Sequence, residues 1–249
     1  MQIKIFGERN TATNALTQVI RKNSETKVLP GTMGELSPST RKHLDFCLKH
    51  GISVKEKEAI IDQVFAGRGL LEQWKHSATY YNVEEIEGVH FIFTVRNPLS
   101  WLVGLYRKPY HLLGEKPSSL LEFAQKPWRT VQRDNLPNQQ YKPLELYAEK
   151  LQSYIDLIEK LEAKSISYSI IRFEDFVADQ QGAFDKLVVY LDKPSECFEM
   201  LNTSTKDNNK DADFYKKYYA NERWRIDFPQ INDISDQPYR SIFETFGYS

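Results

Sequence analysis

Seven consecutive residues, Val89-His90-Phe91-Ile92-Phe93-Thr94-Val95, are almost all β-branched or aromatic. A segment apolar on both faces fits a central parallel strand that helices cover on either side. A second strand of this kind is Ser167 to Ile171. Between them a long helix is expected from about Pro143. There Leu144, Tyr147, Leu151, Tyr154, Ile158 and Leu161 step by three and four. Strands alternating with helices imply a parallel sheet with right-handed crossovers. The expected fold class is therefore α/β, a parallel sheet with helices on both faces.

The amino-terminal residues supply a first strand, in which Met1, Ile3 and Ile5 alternate with polar positions. The loop Gly7-Glu8-Arg9-Asn10-Thr11-Ala12-Thr13 follows. A helix near Asn14 then carries Ala15, Leu16, Val19 and Ile20 on one face. Ser37-Pro38 is a cap followed by proline at the first helical position, and that helix stops at Gly51. Ser53 and Glu56 have capping-box spacing. Phe184, Leu187, Val188 and Leu191 mark another helix, and residues 202–222 read as a loop or helix-containing flap. No linker divides the 249 residues, so one domain is expected.

Thirty-three Lys+Arg against 34 Asp+Glu leave a formal net charge of -1, which argues against a dedicated nucleic-acid partner. The longest apolar run, Val89 to Val95, falls far short of the ~18 residues of a membrane span. Glu8, Arg9 and Asn10 interrupt any signal-like pattern. Cys47 and Cys197 have no CxxC and no metal-ligand spacing, so reduced thiols, no metal site and a cytoplasmic location are expected.

Two loops carry the chemistry. A strand, a polar loop and a helix start form an anion-binding geometry, because the first helical N–H groups lack partners and the helix dipole is positive there. Arg9 adds a forked donor, and Asn10, Thr11, Thr13 and Asn14 add polar side chains. The plainer alternative is a hydrophilic turn that caps a helix. GxxxxGK[ST] is absent, which counts against a nucleoside-triphosphate site. At the second strand end, Arg96-Asn97-Pro98 lies where open α/β sheets bind ligands, with Ser100 nearby. Its plainer alternative is a surface arginine and a capping serine.

Taken together, these elements resemble the sulfotransferases that use 3′-phosphoadenosine 5′-phosphosulfate (PAPS). Gly7 to Leu16 is similar to the family's loop for the 5′-phosphosulfate, and Thr94-Val95-Arg96-Asn97-Pro98 to its 3′-phosphate site. Ile170-Ile171-Arg172-Phe173-Glu174-Asp175-Phe176 resembles a structural element of the family. Arg223-Trp224-Arg225 and Phe246-Gly247-Tyr248 resemble its carboxyl-terminal cofactor-covering segment, here residues 202–249. A bacterial-type subgroup with a Gly-Glu-Arg-Asn-Thr-Gly-Thr-Asn loop and a Trp-Lys-His element is the nearest in pattern, with Trp74-Lys75-His76 matching the latter.

The resemblance implies a P-loop-like fold and sulfuryl transfer to a hydroxyl on a small-molecule or glycan acceptor. It implies that Arg9, Asn10, Thr11, Ala12, Thr13 and Asn14 hold the phosphosulfate, and that Arg96 and Ser100 hold the 3′-phosphate. Trp224 would stack on the adenine, with Arg223 or Arg225 reaching the 3′-phosphate; a core anchor is the alternative for Trp224. Three positions depart from the pattern. Asn10 stands where many members have lysine, Gly104 where a serine is usual, and Ala12 where a glycine is usual. The last implies a loop set farther from the anion, or one that avoids positive φ.

Sulfuryl transfer requires fixed positive donors at the leaving oxygen, here Arg9, Asn10 and the amides of Thr11 to Asn14, with Lys75 as a second cation. The acceptor hydroxyl needs a base, for which His76 is the leading candidate. His111 is a second candidate for the acceptor pocket, and Glu8 and Glu35 are carboxylate alternatives. His43 and His50 read as solvated and His90 as packed. Arg133 and Asn135 read as facing a ligand or lying in a solvated loop. Two other functions remain open: a P-loop-type kinase or NTPase using Mg²⁺, and a PAPS-binding protein without turnover.

Overall fold

The computed structural model describes residues 1–83, 86–110, 115–203 and 210–248. The first half comprises β1 (Gln2–Gly7), α1 (Thr13–Asn23), β2 (Lys27–Val28), α2 (Met33–Leu36), α3 (Pro38–Lys49) and α4 (Val54–Phe65). β3 (Val89–Val95), α5 (Pro98–Arg107), α6 (Leu120–Gln125), β4 (Trp128–Arg129), β5 (Gln140–Tyr141) and α7 (Pro143–Ala163) follow. The chain continues through β6 (Tyr168–Arg172), α8 (Phe173–Ala178), α9 (Gln180–Asp185), α10 (Ala212–Ala220), α11 (Arg223–Asp227) and α12 (Arg240–Thr245).

Four strands form a parallel sheet in the order β2-β1-β3-β6, so the fold is α/β as its alternation predicts. All seven residues of β3 are buried. Phe91, Phe93 and Val95 face one core with residues of α5, α6, α7 and α12. Ile92 turns to the other face, where Ile3, Ile5, Leu16, Val19, Ile20 and Phe184 form the second core. A smaller cluster of Met33, Leu44, Phe65 and Trp74 holds α2, α3 and α4 together. Among the described residues no helix is long and apolar enough to cross a membrane.

Local signals set several boundaries. Pro38 opens α3, and the Ser53–Glu56 capping box is closed by bonds in both directions ahead of α4. The helix expected over 184–191 is instead the short α9 and a separate 3₁₀ turn over Val188–Tyr190. The β-branched pair Val188-Val189 disfavours helix, and Val189 is left exposed. The flap reading of 202–222 resolves into α10, residues 204–209 lying outside the described part. Beyond Trp224 the carboxyl-terminal segment joins the core. Ile231, Ile234, Phe243, Phe246 and Tyr248 are buried in the main core, and the Tyr248 hydroxyl donates to Glu174.

The ligand-facing reading of Arg133 and Asn135 is corrected as well. The Arg133 guanidinium is buried between the carboxylates of Glu58 and Asp62. The Asn135 amide donates to the carbonyl of Ala78.

A candidate active site between two strand ends

β1 and β3 are neighbours in register, with Gly7 beside Thr94, so the loops that leave them emerge side by side. Close approach here requires a glycine. A Cβ on Gly7 would lie 1.8 Å from Thr94 Oγ1 and 2.7 Å from its carbonyl oxygen. Gly7→Ala is therefore expected to destabilise the fold by about 3 kcal/mol, measured by urea denaturation. Thr11 fastens the loop, since its hydroxyl lies 2.6 Å from the Glu8 carbonyl and 2.7 Å from Thr94 Oγ1. Buried there, Thr11 supports the loop from beneath rather than lining the cavity.

Asn10 and Ala12 both take left-handed backbone, at φ 68° and 70°. Of the two alternatives for Ala12, avoidance of positive φ is thus overturned: the loop keeps a conformation that favours glycine and carries it with alanine. Left-handed backbone costs a Cβ-bearing residue roughly 1–2 kcal/mol. Glycine gives back part of that gain through its freer unfolded chain. Ala12→Gly is expected to stabilise the protein by about 0.5–1 kcal/mol, read as a higher denaturation midpoint. Ala12 also sits at the cap position of α1 without a side-chain oxygen to cap it, and the first turn of α1 holds no acidic residue. The positive end of α1 therefore faces the cavity uncompensated by its own side chains.

That cavity, about 410 Å³, is lined by Arg9, Asn10, Ala12, Thr13, Asn14 and His76. Arg96, Gly104, Phe173, Tyr219 and Trp224 line it as well. The Arg96 side chain ties the two loops together. Its Nη1 donates to the Asn10 carbonyl, Nε to Ser100 Oγ and Nη2 to Tyr219 Oη, each at 2.9 Å. The guanidinium rests against an edge-to-face pair of rings, 4.2 Å from the centroid of Phe173 and 4.8 Å from that of Tyr219. Trp101 Nε1 adds a further link by donating to the Arg9 carbonyl at 2.9 Å. The Arg9 guanidinium rests on Tyr110, 3.6 Å from the ring centroid, with Trp74 at 4.5 Å.

His76 is positioned by β1. Its Nδ1 lies 2.6 Å from the Gly7 carbonyl oxygen. A carbonyl only accepts, so Nδ1 carries the proton of the neutral ring and Nε2 keeps a lone pair. Burial, followed by the nearby cations Lys75 and Arg9, holds the imidazole well below its ordinary pKa. The result is a neutral base at the cavity wall.

The remaining residues divide. Thr13 and Asn14 line the cavity, whereas Ser100 is buried and holds Arg96. Lys75 does not line it; its ammonium donates to the Asn14 side chain and faces a second cavity of about 210 Å³. Burial lowers the Lys75 pKa to about 8. Glu35 belongs to that second cavity, bonded to Arg21 and to the Gly31 and Thr32 amides. Trp224 is both core residue and cavity wall. Arg223 and Arg225 do not line the cavity, pairing instead with Asp227 and Glu222. His90 is packed as expected, stacked on Tyr190 and bonded to Ser167 and Ser169. His111 lies outside the described residues.

Sequence reasoning missed Tyr219 and its neighbours Phe214, Tyr215 and Tyr218, which line the cavity from α10. The signal was their helical spacing inside a stretch read as merely polar. It also missed Lys150, fully buried behind His76.

No protein-family model matches this chain. No curated protein matches it. Among solved structures it is similar to a sulfotransferase from Alicyclobacillus acidocaldarius, at 16% sequence identity and a TM-score of 0.39. The similarity covers 80% of this chain and 85% of that one.

Proposed function

We propose that this chain is a sulfotransferase that moves the sulfuryl group of PAPS to a hydroxyl of a small-molecule or glycan acceptor. One observation carries the reading: Arg96, at the end of β3, donates to the Asn10 carbonyl in the loop after β1, and both loops line one cavity. A ligand with anionic groups at both ends suits that cavity. Arg9 and the uncapped start of α1 serve one end. Arg96 serves the other, since its three hydrogen bonds leave two of its five N–H groups for a phosphate. A Cβ at Gly104 would lie 3.3 Å from Arg96 Nη1, a tight contact, so glycine in place of the usual serine lets the guanidinium pack directly against α5. The rings of Phe173, Tyr219 and Trp224 offer planes for the adenine.

When bound, the donor supplies an activated sulfuryl group and a stable bisphosphate leaving group. Arg9 and the amides opening α1 stabilise the charge that builds on the leaving oxygen, the part a lysine at position 10 would otherwise share. His76 accepts the acceptor's hydroxyl proton at Nε2. Meanwhile the acceptor oxygen bonds to sulfur, and the sulfur–oxygen bond to the phosphate breaks with its electron pair passing to the phosphate. Lys75 acts from behind, orienting the Asn14 side chain.

Thermal-shift screening against 3′-phosphoadenosine 5′-phosphate (PAP), ATP with Mg²⁺, and GTP tests the reading. At about 100 times its Kd, PAP is expected to add about 2.7 kcal/mol of stability. At about 2–4 °C per kcal/mol for a chain of this size, that raises Tm by about 5–11 °C. A shift with ATP and Mg²⁺ alone contradicts the proposal in favour of an NTPase. Binding of PAP without transfer to any of a panel of hydroxyl acceptors contradicts the catalytic part.

A further inference from the structure

Lys150 is a charged residue in the apolar stripe of α7, between Tyr147 and Tyr154, and none of its surface reaches solvent. An ammonium has three N–H donors, and each has a partner here: the carboxylates of Glu8 and Asp134, and the His76 carbonyl at 2.8 Å. Both partner carboxylates are buried as well.

Each partner leads to a different piece of the cavity wall. Glu8 Oε1 accepts from the Arg9 amide at 2.6 Å and from the Tyr110 hydroxyl at 2.8 Å, and the Tyr110 ring carries the Arg9 guanidinium. His76 is the candidate base. Asp134 Oδ2 accepts from the Val131 amide at 2.9 Å, closing the turn whose Asp134 carbonyl receives the Ala78 amide. A surface ion pair would leave these segments free to shift, whereas a desolvated one fixes them, because a displaced partner would be a buried, unpaired charge.

We propose that Lys150 is a positioning residue that sets the base and the anion-binding arginine relative to each other, acting through the His76 carbonyl and the Glu8 carboxylate. Its catalytic consequence rests on the sulfotransferase reading; its effect on the imidazole does not. The cations that bear on His76 are Lys75, Arg9 and Lys150, and all three, with burial, hold the ring neutral. Removing Lys150 takes away one of these charges and releases the backbone of the residue whose Nδ1 bonds Gly7.

The test is Lys150→Met, followed by nitrogen-15 NMR of the His76 imidazole and by steady-state kinetics. The wild-type ring is expected as a single Nδ1–H tautomer. In the variant the titration midpoint rises by about one pH unit and the tautomers become mixed. Turnover falls about tenfold or more with a rise in donor KM, as misplacement of a base and an anion clamp requires. If Lys150→Met does not fold, the triple variant Lys150→Met, Glu8→Gln, Asp134→Asn neutralises the whole cluster, and the mixed His76 tautomers and the loss of turnover are the deciding readouts, since the two lost carboxylates offset the change in midpoint. A folded variant whose His76 tautomer and midpoint are unchanged overturns the proposal, whatever its stability. The NMR measurement needs no ligand, so it still decides if the wild-type chain proves unable to transfer sulfate.

Discussion

Replacing His76 with alanine is expected to lower turnover by about 10²–10⁴-fold, the usual worth of a positioned general base, with PAP affinity changed less than about twofold. The two effects separate because the ring contributes a lone pair rather than a charge. Its Nδ1 proton is committed to the Gly7 carbonyl, and burial with neighbouring cations keeps the ring neutral. The same environment fixes the pH dependence. A base held well below its ordinary pKa stays deprotonated as pH falls through 6.5, so kcat/KM of the wild type should stay level from pH 7 to below the ordinary imidazole range. The acidic decline then follows the depressed value. A decline centred at 6.5 or above, or turnover within twofold of wild type in the alanine variant, removes His76 from the role.

Arg96→Met is expected to weaken PAP binding by about 100-fold or more, close to 2.8 kcal/mol. Methionine keeps the length of the stem but loses the fork. The Asn10 carbonyl, Ser100 and Tyr219 lose their donor, so the loop after β1 is freed at the same moment as the 3′-phosphate loses its partner. Arg96→Lys should recover little, because one ammonium does not span the three partners that the planar guanidinium reaches. The loss should be larger for PAP than for 5′-AMP, which lacks the 3′-phosphate. An equal loss for both would mean that Arg96 only supports the loop.

What the sequence made legible was local. The apolar run of β3, the proline opening α3, the capping box ahead of α4 and the periodic face of α7 each carry their cause within a few residues. The two loops of the site were legible because β1 and β3 are both recognisable strands, and adjacent parallel strands place their following loops together. The buried charges were not. Lys4 occupies a polar-looking position of β1, yet it is fully buried and donates to the carbonyls of Pro30 and Gln73, and burial lowers its pKa to about 7. Lys150 looks like an interruption of an amphipathic helix until Glu8, 142 residues away, is placed against it. Arg133 looks like a loop cation until Glu58 and Asp62 enclose it. In each case the partner that makes burial tolerable lies far along the chain, and no local pattern encodes it.

Arg223 and Arg225 are the opposite case, with partners close in sequence. They flank a tryptophan as expected of cofactor-facing residues, but Glu222, just ahead of α11, and Asp227, at its end, lie within one turn and pair with Arg225 and Arg223. Tyr219 of α10 reaches Arg96 instead.

Whether one ligand is held at both ends by loops from neighbouring strands is measured most directly by isothermal titration of the wild type with PAP and with 5′-AMP. The structure-based expectation is that PAP binds about 100-fold more tightly than 5′-AMP, and that Arg96→Met abolishes most of the difference. Equal affinity of the wild-type chain for the two nucleotides would contradict it.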